Sequence, residues 1–166
     1  PAVCGPYREY QVCGMAPPSS GGVAIIQILG QLEKFDLAKL SIADAEFAHL
    51  FSQSSRLAFA DRNRYIADSS FVNVPTEGLI EKSYMAQRAT LIDVKKDMGR
   101  AVAGTPTGAL AQADDNAFEL PSTSHISIVD QDGNAIAMTT SVEMGFGSAL
   151  MVEGFILNNQ LTDFSL

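Results

Sequence analysis

Thr123 stands directly ahead of a run with strand character, Ser124-His125-Ile126-Ser127-Ile128-Val129-Asp130, and directly after a long loop-like stretch. A cut between Ser122 and Thr123 would expose a threonine with two reactive groups. One is a hydroxyl nucleophile; the other is its own α-amino group, able to serve as base. That amine has an ordinary pKa of about 7.7–8.0, so part of it is unprotonated near neutral pH. Many strands begin with Thr or Ser, so the pattern gains meaning only from its surroundings. The other reactive side chains are sparse. Cys4 and Cys13 lie nine residues apart, and His49 and His125 are far from both and from each other. That is no zinc-ligand spacing. No EF-hand loop, phosphate loop or dinucleotide glycine fingerprint is present either. The sequence therefore points to no metal and no cofactor. For Cys4 and Cys13 a disulfide and two free thiols both stand open.

The elements that must position Thr123 are legible from periodicity. Residues 2–15 read as two short strands around Gly5-Pro6. Pro17-Pro18-Ser19-Ser20-Gly21-Gly22 reads as a turn into an apolar helix from Val23 to about Phe35, with Ser19 or Ser20 as its cap. A second helix is expected from about Ala43 to Ile66. Ala43, Phe47, Leu50, Phe51, Leu57, Ala58 and Ala60 mark its core face. His49 lies on it without a ligand role, and Asp61-Arg62-Asn63-Arg64 reads as a solvated turn. A third helix is expected from about Ile80 to Met98. Composition then shifts to small, polar, aperiodic residues, which read as a mobile linker over about 99–122. After it the period becomes two. Ile126, Ile128, Ala135, Ile136 and Met138 fall on two strands joined at Asp132-Gly133, a strong hairpin signal. A loop over 143–148 leads to a strand near Met151-Val152 and a short apolar run, Phe155-Ile156-Leu157.

Composition bounds the function. The chain has 166 residues, 46% hydrophobic and 18% charged, which suits a packed core rather than a disordered chain. Its net charge of −8 argues against sequence-independent nucleic-acid binding and against anionic membrane surfaces. No apolar run reaches the roughly 20 residues needed to span a bilayer. Pro1 and Leu166 both read as cuts within a larger protein.

Four segments together resemble the subunit junction of the gamma-glutamyltranspeptidases, N-terminal-nucleophile hydrolases that cut their own precursor in two. They are Tyr7-Arg8-x-Tyr10-x-Val12 with Pro17-Pro18-Ser19-Ser20-Gly21-Gly22; Ala58-Phe59-Ala60-Asp61-Arg62; Thr123 to Asp130 with Asp132-Gly133-Asn134; and Phe146-Gly147-Ser148 with Leu157 to Phe164. The resemblance implies an α+β fold, part of an αββα sandwich. Residues 1–122 would end the large subunit and residues 123–166 would begin the small one. It implies Thr123 as nucleophile, Ser122–Thr123 as the cleaved bond and Ser141 as a hydroxyl partner of the nucleophile. Glu143, Gln160 and Asp163 would hold the α-amino end of a γ-glutamyl substrate. The implied activity is gamma-glutamyl transfer or glutathione hydrolysis. Alternatives are a glutaryl (cephalosporin) acylase of the same family, or a family member that keeps the fold as a scaffold. Implied partners are a glutathione-like small molecule and the remainder of both subunits, with a periplasmic or secreted location. A substrate-carboxylate arginine is expected upstream of this stretch, and an oxyanion hole downstream. Two residues depart from the pattern: Ser122 precedes the scissile bond instead of an amide or acidic residue, and Glu143 replaces an asparagine. No role is implied for His125.

Overall fold

The computed structural model describes residues 1–111 and 123–159. They fall into two compact units, Pro1–Asp115 and Asn116–Leu166.

The first unit begins with a hairpin of β1 (Val3–Tyr7) and β2 (Tyr10–Gly14). Its turn lies at Arg8-Glu9, not at Gly5-Pro6 as the sequence suggested. Arg8 takes the left-handed conformation there (φ 52°), and its backbone N–H donates to Glu33 Oε1 at 2.7 Å. Gly5 sits within β1 for a packing reason: a Cβ on it would lie 2.4 Å from Ile26 Cγ2. Cys4 and Cys13 are directly opposed across the ladder and form a disulfide, which resolves the open choice.

Helix α1 (Gly21–Leu32) follows. Its entry is dictated by close approach, since a Cβ on Gly14 would lie 2.5 Å from Gly22 Cα. The hairpin thus packs backbone to backbone on the first turn of α1, a contact only glycine permits. Ser20 occupies the cap position, but its hydroxyl caps no backbone N–H; it accepts from Arg62 Nε at 3.4 Å instead.

Helix α2 (Ala45–Tyr65) carries Glu46 in its first turn and Arg62 and Arg64 in its last, complementing the helix dipole. Its buried stripe is Leu50, Gln53, Ser54, Leu57, Ala58, Asp61 and Tyr65, a helical i, i+3, i+4, i+7 series. Leu50, Leu57 and Ala58 match expectation. Phe51 does not: it is 48% exposed and stacks on Phe47 along the flank. Three polar residues take the inward positions, each satisfied. Ser54, for instance, donates to the Ile28 carbonyl at 3.0 Å. Leu50, Leu57, Ala58, Ile28, Leu32 and Ile92 form one apolar cluster; Val23, Tyr65, Leu79 and Tyr84 form another.

The helix expected from about Ile80 to Met98 is shorter and is preceded by a separate turn. A single turn, α3 (Thr76–Leu79), is followed by α4 (Lys82–Ala89). Beyond Ile92 the Asp93 carboxylate accepts the backbone N–H groups of Lys95 and Lys96 at 2.8 and 3.0 Å. Such a side-chain turn competes with helix continuation. The start of the expected linker is also fastened down. Ala101, Ala103 and Ala109 pack against the helical clusters, and Asn73 Nδ2 donates to the Gly108 carbonyl at 3.1 Å. The later part of that segment, 112–122, lies outside the described residues.

The second unit is built from antiparallel pairs. Strands β3 (Thr123–Val129) and β4 (Ala135–Ser141) form the expected hairpin, in register from Thr123↔Ser141 to Val129↔Ala135. Gly133 supplies the positive φ of its turn (82°). Asp130 Oδ1 accepts from the Asp132 and Asn134 backbone N–H groups at 2.9 Å, and Oδ2 accepts from Asn134 Nδ2 at 2.8 Å. Strands β5 (Met151–Val152) and β6 (Phe155–Ile156) pair around Glu153-Gly154, both at positive φ as a primed hairpin turn requires.

Candidate active site

The register of the β3–β4 hairpin sets the site. Thr123 and Ser141 are directly opposed. Opposed residues of an antiparallel pair share a face, with Cβ atoms about 4.5–5.5 Å apart. Two hydroxyls are therefore held within reach of each other by backbone pairing. The same face carries His125, Ser127 and Thr139, while Ile126, Ile128, Ile136 and Met138 fall on the other. His125 is bracketed by hydroxyls, with Nδ1 2.7 Å from Thr139 Oγ1 and Nε2 3.1 Å from Ser127 Oγ.

Beyond β4 the chain turns sharply at Glu143, whose φ of 70° is uncommon for a residue with a side chain. Its backbone N–H donates to Ser141 Oγ at 2.9 Å. A hydroxyl has one proton and two acceptor sites. Filling an acceptor site from the Glu143 side steers the Ser141 proton elsewhere. The turn is then stitched to the chain after β6. Asn158 Nδ2 donates to the Ser141 carbonyl at 2.7 Å. Asn159 Oδ1 accepts from the Met144 N–H at 3.2 Å, and the Asn159 N–H reaches the Val142 carbonyl at 3.4 Å. Gly147 closes the loop: at φ 50° it would place a Cβ 2.3 Å from the Leu157 carbonyl oxygen.

Thr123, Ser141 and Glu143 are thus brought to one end of the hairpin. Ser122, Gln160 and Asp163 lie outside the described residues; Gln160 is the next residue after Asn159. Sequence reasoning missed the tethering role of Asn158 and Asn159, although both belong to a motif it singled out. It also missed Asp61, read as solvated and in fact 0% exposed. A carboxylate spaced i+3 and i+4 from Ala58 and Leu57 was the available signal. Among the described residues no group of three His, Cys, Asp or Glu side chains is arranged to hold a metal ion. No helix among them is long and apolar enough to cross a membrane.

A helical unit with antiparallel hairpins, one opening on a threonine, has the fold class of the N-terminal-nucleophile hydrolases. The chain belongs to the gamma-glutamyltranspeptidase family, whose pattern it matches over residues 1–166. It is 38% identical over 165 residues to the glutathione hydrolase proenzyme of Escherichia coli (strain K12), covering 98% of this chain and 27% of that protein. It is 34% identical over 162 residues to the Acylase ACY 1 proenzyme of Pseudomonas sp. (strain SE83), covering 96% of this chain and 27% of that one. The crystal structure of Helicobacter pylori gamma-glutamyltranspeptidase aligns with a TM-score of 0.59 at 35% identity, over 68% of this chain and 32% of that chain. The chain spans about a quarter of the length of these curated relatives.

Proposed function

We propose that this chain carries the self-cleavage junction and the nucleophile of a gamma-glutamyltransferase or glutathione hydrolase. The observation that carries it is Thr123 opposite Ser141 at the open end of the β3–β4 hairpin. In the precursor, Thr123 Oγ attacks the Ser122 carbonyl carbon. The C–N bond breaks, the nitrogen takes the hydroxyl's proton, and an ester links Ser122 to Thr123 Oγ. Water hydrolyses that ester, leaving a Ser122 carboxylate and a Thr123 with a free amine.

In the mature enzyme the amine accepts the Thr123 hydroxyl proton as Oγ attacks a γ-glutamyl amide. The departing amine receives a proton and an acyl-enzyme remains. Water then yields glutamate, and an amino acid or peptide amine yields a transfer product. Ser141 orients the nucleophile, its own hydroxyl steered by the Glu143 N–H. Glu143, Gln160 and Asp163 accept hydrogen bonds from the substrate ammonium, a task suited to carboxylates and an amide oxygen. The word proenzyme in the relatives' names supports the cleavage step. The Cys4–Cys13 disulfide suits an oxidising compartment.

The test is intact mass and turnover of the full-length protein. Two subunits with Thr123 at the new terminus, and γ-glutamyl-p-nitroanilide hydrolysis, are expected. Thr123→Ala should leave one uncut, inactive chain. An uncut wild-type chain would overturn the assignment and favour the scaffold alternative. Acylase-named relatives keep a second substrate class in play. Preference for glutaryl over γ-glutamyl amides, which lack and carry the ammonium respectively, would move the assignment to an acylase.

A further inference from the structure

Two polar networks tie distant parts of the chain together. In the helical unit, Asp61 accepts from Gln27 Nε2, the Tyr84 hydroxyl and the Gly104 backbone N–H, beside the Arg88 guanidinium. Asp61, Tyr84 and Arg88 are all buried, so that network is closed to a substrate. The second network lies at the open end of the β3–β4 hairpin and centres on Asn159. A residue's φ and ψ set the angle between the peptide planes on its two sides. Asn159 bonds both planes that flank Glu143. Its backbone N–H donates to the Val142 carbonyl at 3.4 Å, and its Oδ1 accepts the Met144 N–H at 3.2 Å. Glu143, between them, stands in the left-handed region at φ 70°. A residue with a side chain keeps that conformation only where its surroundings over-determine it. Three further bonds near the turn each reach one side of Glu143 only. Ser141 Oγ accepts the Glu143 N–H, and Asn158 Nδ2 donates to the Ser141 carbonyl. The Gly147 N–H donates to the Met144 carbonyl, one peptide further on.

We propose that Asn159 is a positioning residue for substrate selection: by clamping both peptides around Glu143, it aims the Glu143 carboxylate at the ammonium of a γ-glutamyl substrate. The inference rests on the function proposed above, in which Glu143 meets that ammonium. Asn159 touches no reacting atom and acts through Glu143. In an Asn159→Ala variant the backbone bond to Val142 remains, so the plane carrying the Glu143 N–H stays on Ser141 Oγ. The plane on the far side, which carries the Met144 N–H, is released. The φ of Glu143 is then no longer fixed, and its side chain turns with it. The loss therefore falls on the ammonium. A γ-glutamyl amide carries that group, and a glutaryl amide has the same acyl chain without it.

The experiment uses the mature full-length enzyme and compares γ-glutamyl-p-nitroanilide with glutaryl-p-nitroanilide. Asn159→Ala should raise KM for the γ-glutamyl substrate about tenfold, the scale of one lost hydrogen bond to a charged group, and change glutaryl hydrolysis far less. In a Glu143→Ala background the same substitution should have no further effect on the γ-glutamyl substrate. Asn159→Asp keeps an acceptor of the same reach and should retain the γ-glutamyl preference. Hydrogen exchange on the uncleavable Thr123→Ala precursor reports the clamp itself: the Met144 amide should be protected, and should lose protection when Asn159→Ala is added. A Met144 amide that exchanges as an open loop does overturns the inference. So does an unchanged γ-glutamyl KM, an equal loss on both substrates, or a γ-glutamyl loss that persists in the Glu143→Ala background and so runs through another residue. If Asn159→Ala does not mature, Asn159→Asp carries the comparison, and loss of the γ-glutamyl preference in it overturns the inference. Each of these results leaves the self-cleavage and substrate preference of the unsubstituted enzyme intact. A wild-type precursor that never cleaves, or a mature enzyme that prefers glutaryl amides, removes the proposed function and this inference with it.

Discussion

Asp61 shows how one buried group sets the behaviour of its neighbours. Burial and the adjacent carboxylate push the Tyr84 phenol above its ordinary value of 10.0. A phenol raised in the folded state favours folding fully below pH 10, and that contribution fades as pH climbs above it. Alkaline unfolding of the full-length protein should therefore set in earlier than in a Tyr84→Phe variant, once each curve is normalised to its neutral-pH stability. Identical alkaline profiles would contradict the assignment. Asp61→Ala should cost the helical unit about 3–5 kcal/mol, because it strands the Arg88 guanidinium in the interior. Amide exchange of α2 measures this directly, and a loss below about 1 kcal/mol would show that the network is not needed. The motif Ala58 to Arg62 was visible in the sequence, but the burial of its Asp was not. Helical spacing says which residues share a face, while three of the partners that make a buried carboxylate tolerable lie 23 to 43 positions away.

At the scale of elements, turns carry the testable content. The Asp130 carboxyl is held below its ordinary range by the Asn134 side chain, with help from backbone N–H groups. A depressed carboxyl contributes stability above the unfolded value of 3.8 and loses it as pH falls below that. The β3–β4 turn should therefore loosen selectively in acid, seen as faster exchange of the Asp132 and Asn134 amides relative to mid-strand ones. A uniform response along the hairpin would count against it. Gly147→Ala should strain the loop after β4 by about 1–3 kcal/mol, since it demands positive φ and meets the Leu157 carbonyl. Loss of protection at the Ser148 and Leu157 amides is the check; unchanged exchange would show that the loop relaxes freely. The Asp132-Gly133 hairpin was legible because its turn chemistry is local. The end of α4 was not, because helical bonding gives way to i→i−3 turns at Thr90, Leu91 and Ile92 while the apolar pattern runs on, and Asp93 only then fastens the chain at Lys95 and Lys96.

At the scale of the molecule, the 166 residues span about a quarter of their curated relatives. The family resemblance implies an oxyanion hole and a carboxylate-binding arginine beyond these residues, and we propose that turnover needs them, since loss of one oxyanion donor costs about 2.7–4 kcal/mol of transition-state stabilisation. The isolated chain should therefore turn over γ-glutamyl-p-nitroanilide negligibly. Measurable hydrolysis abolished by Thr123→Ala would sink that expectation. By itself the sequence determined the helical and two-residue periods, the Asp-Gly turn and the threonine that opens β3. These follow from steric preferences and spacing within a few residues. Only the tertiary structure decided that Cys4 bonds Cys13, that Phe51 faces outward, that Asn158 and Asn159 tie down the turn after Ser141, and that Asp61 holds Gly104. Each depends on which distant backbone or side chain completes a hydrogen bond, a disulfide or a packed contact, and no local period encodes that choice.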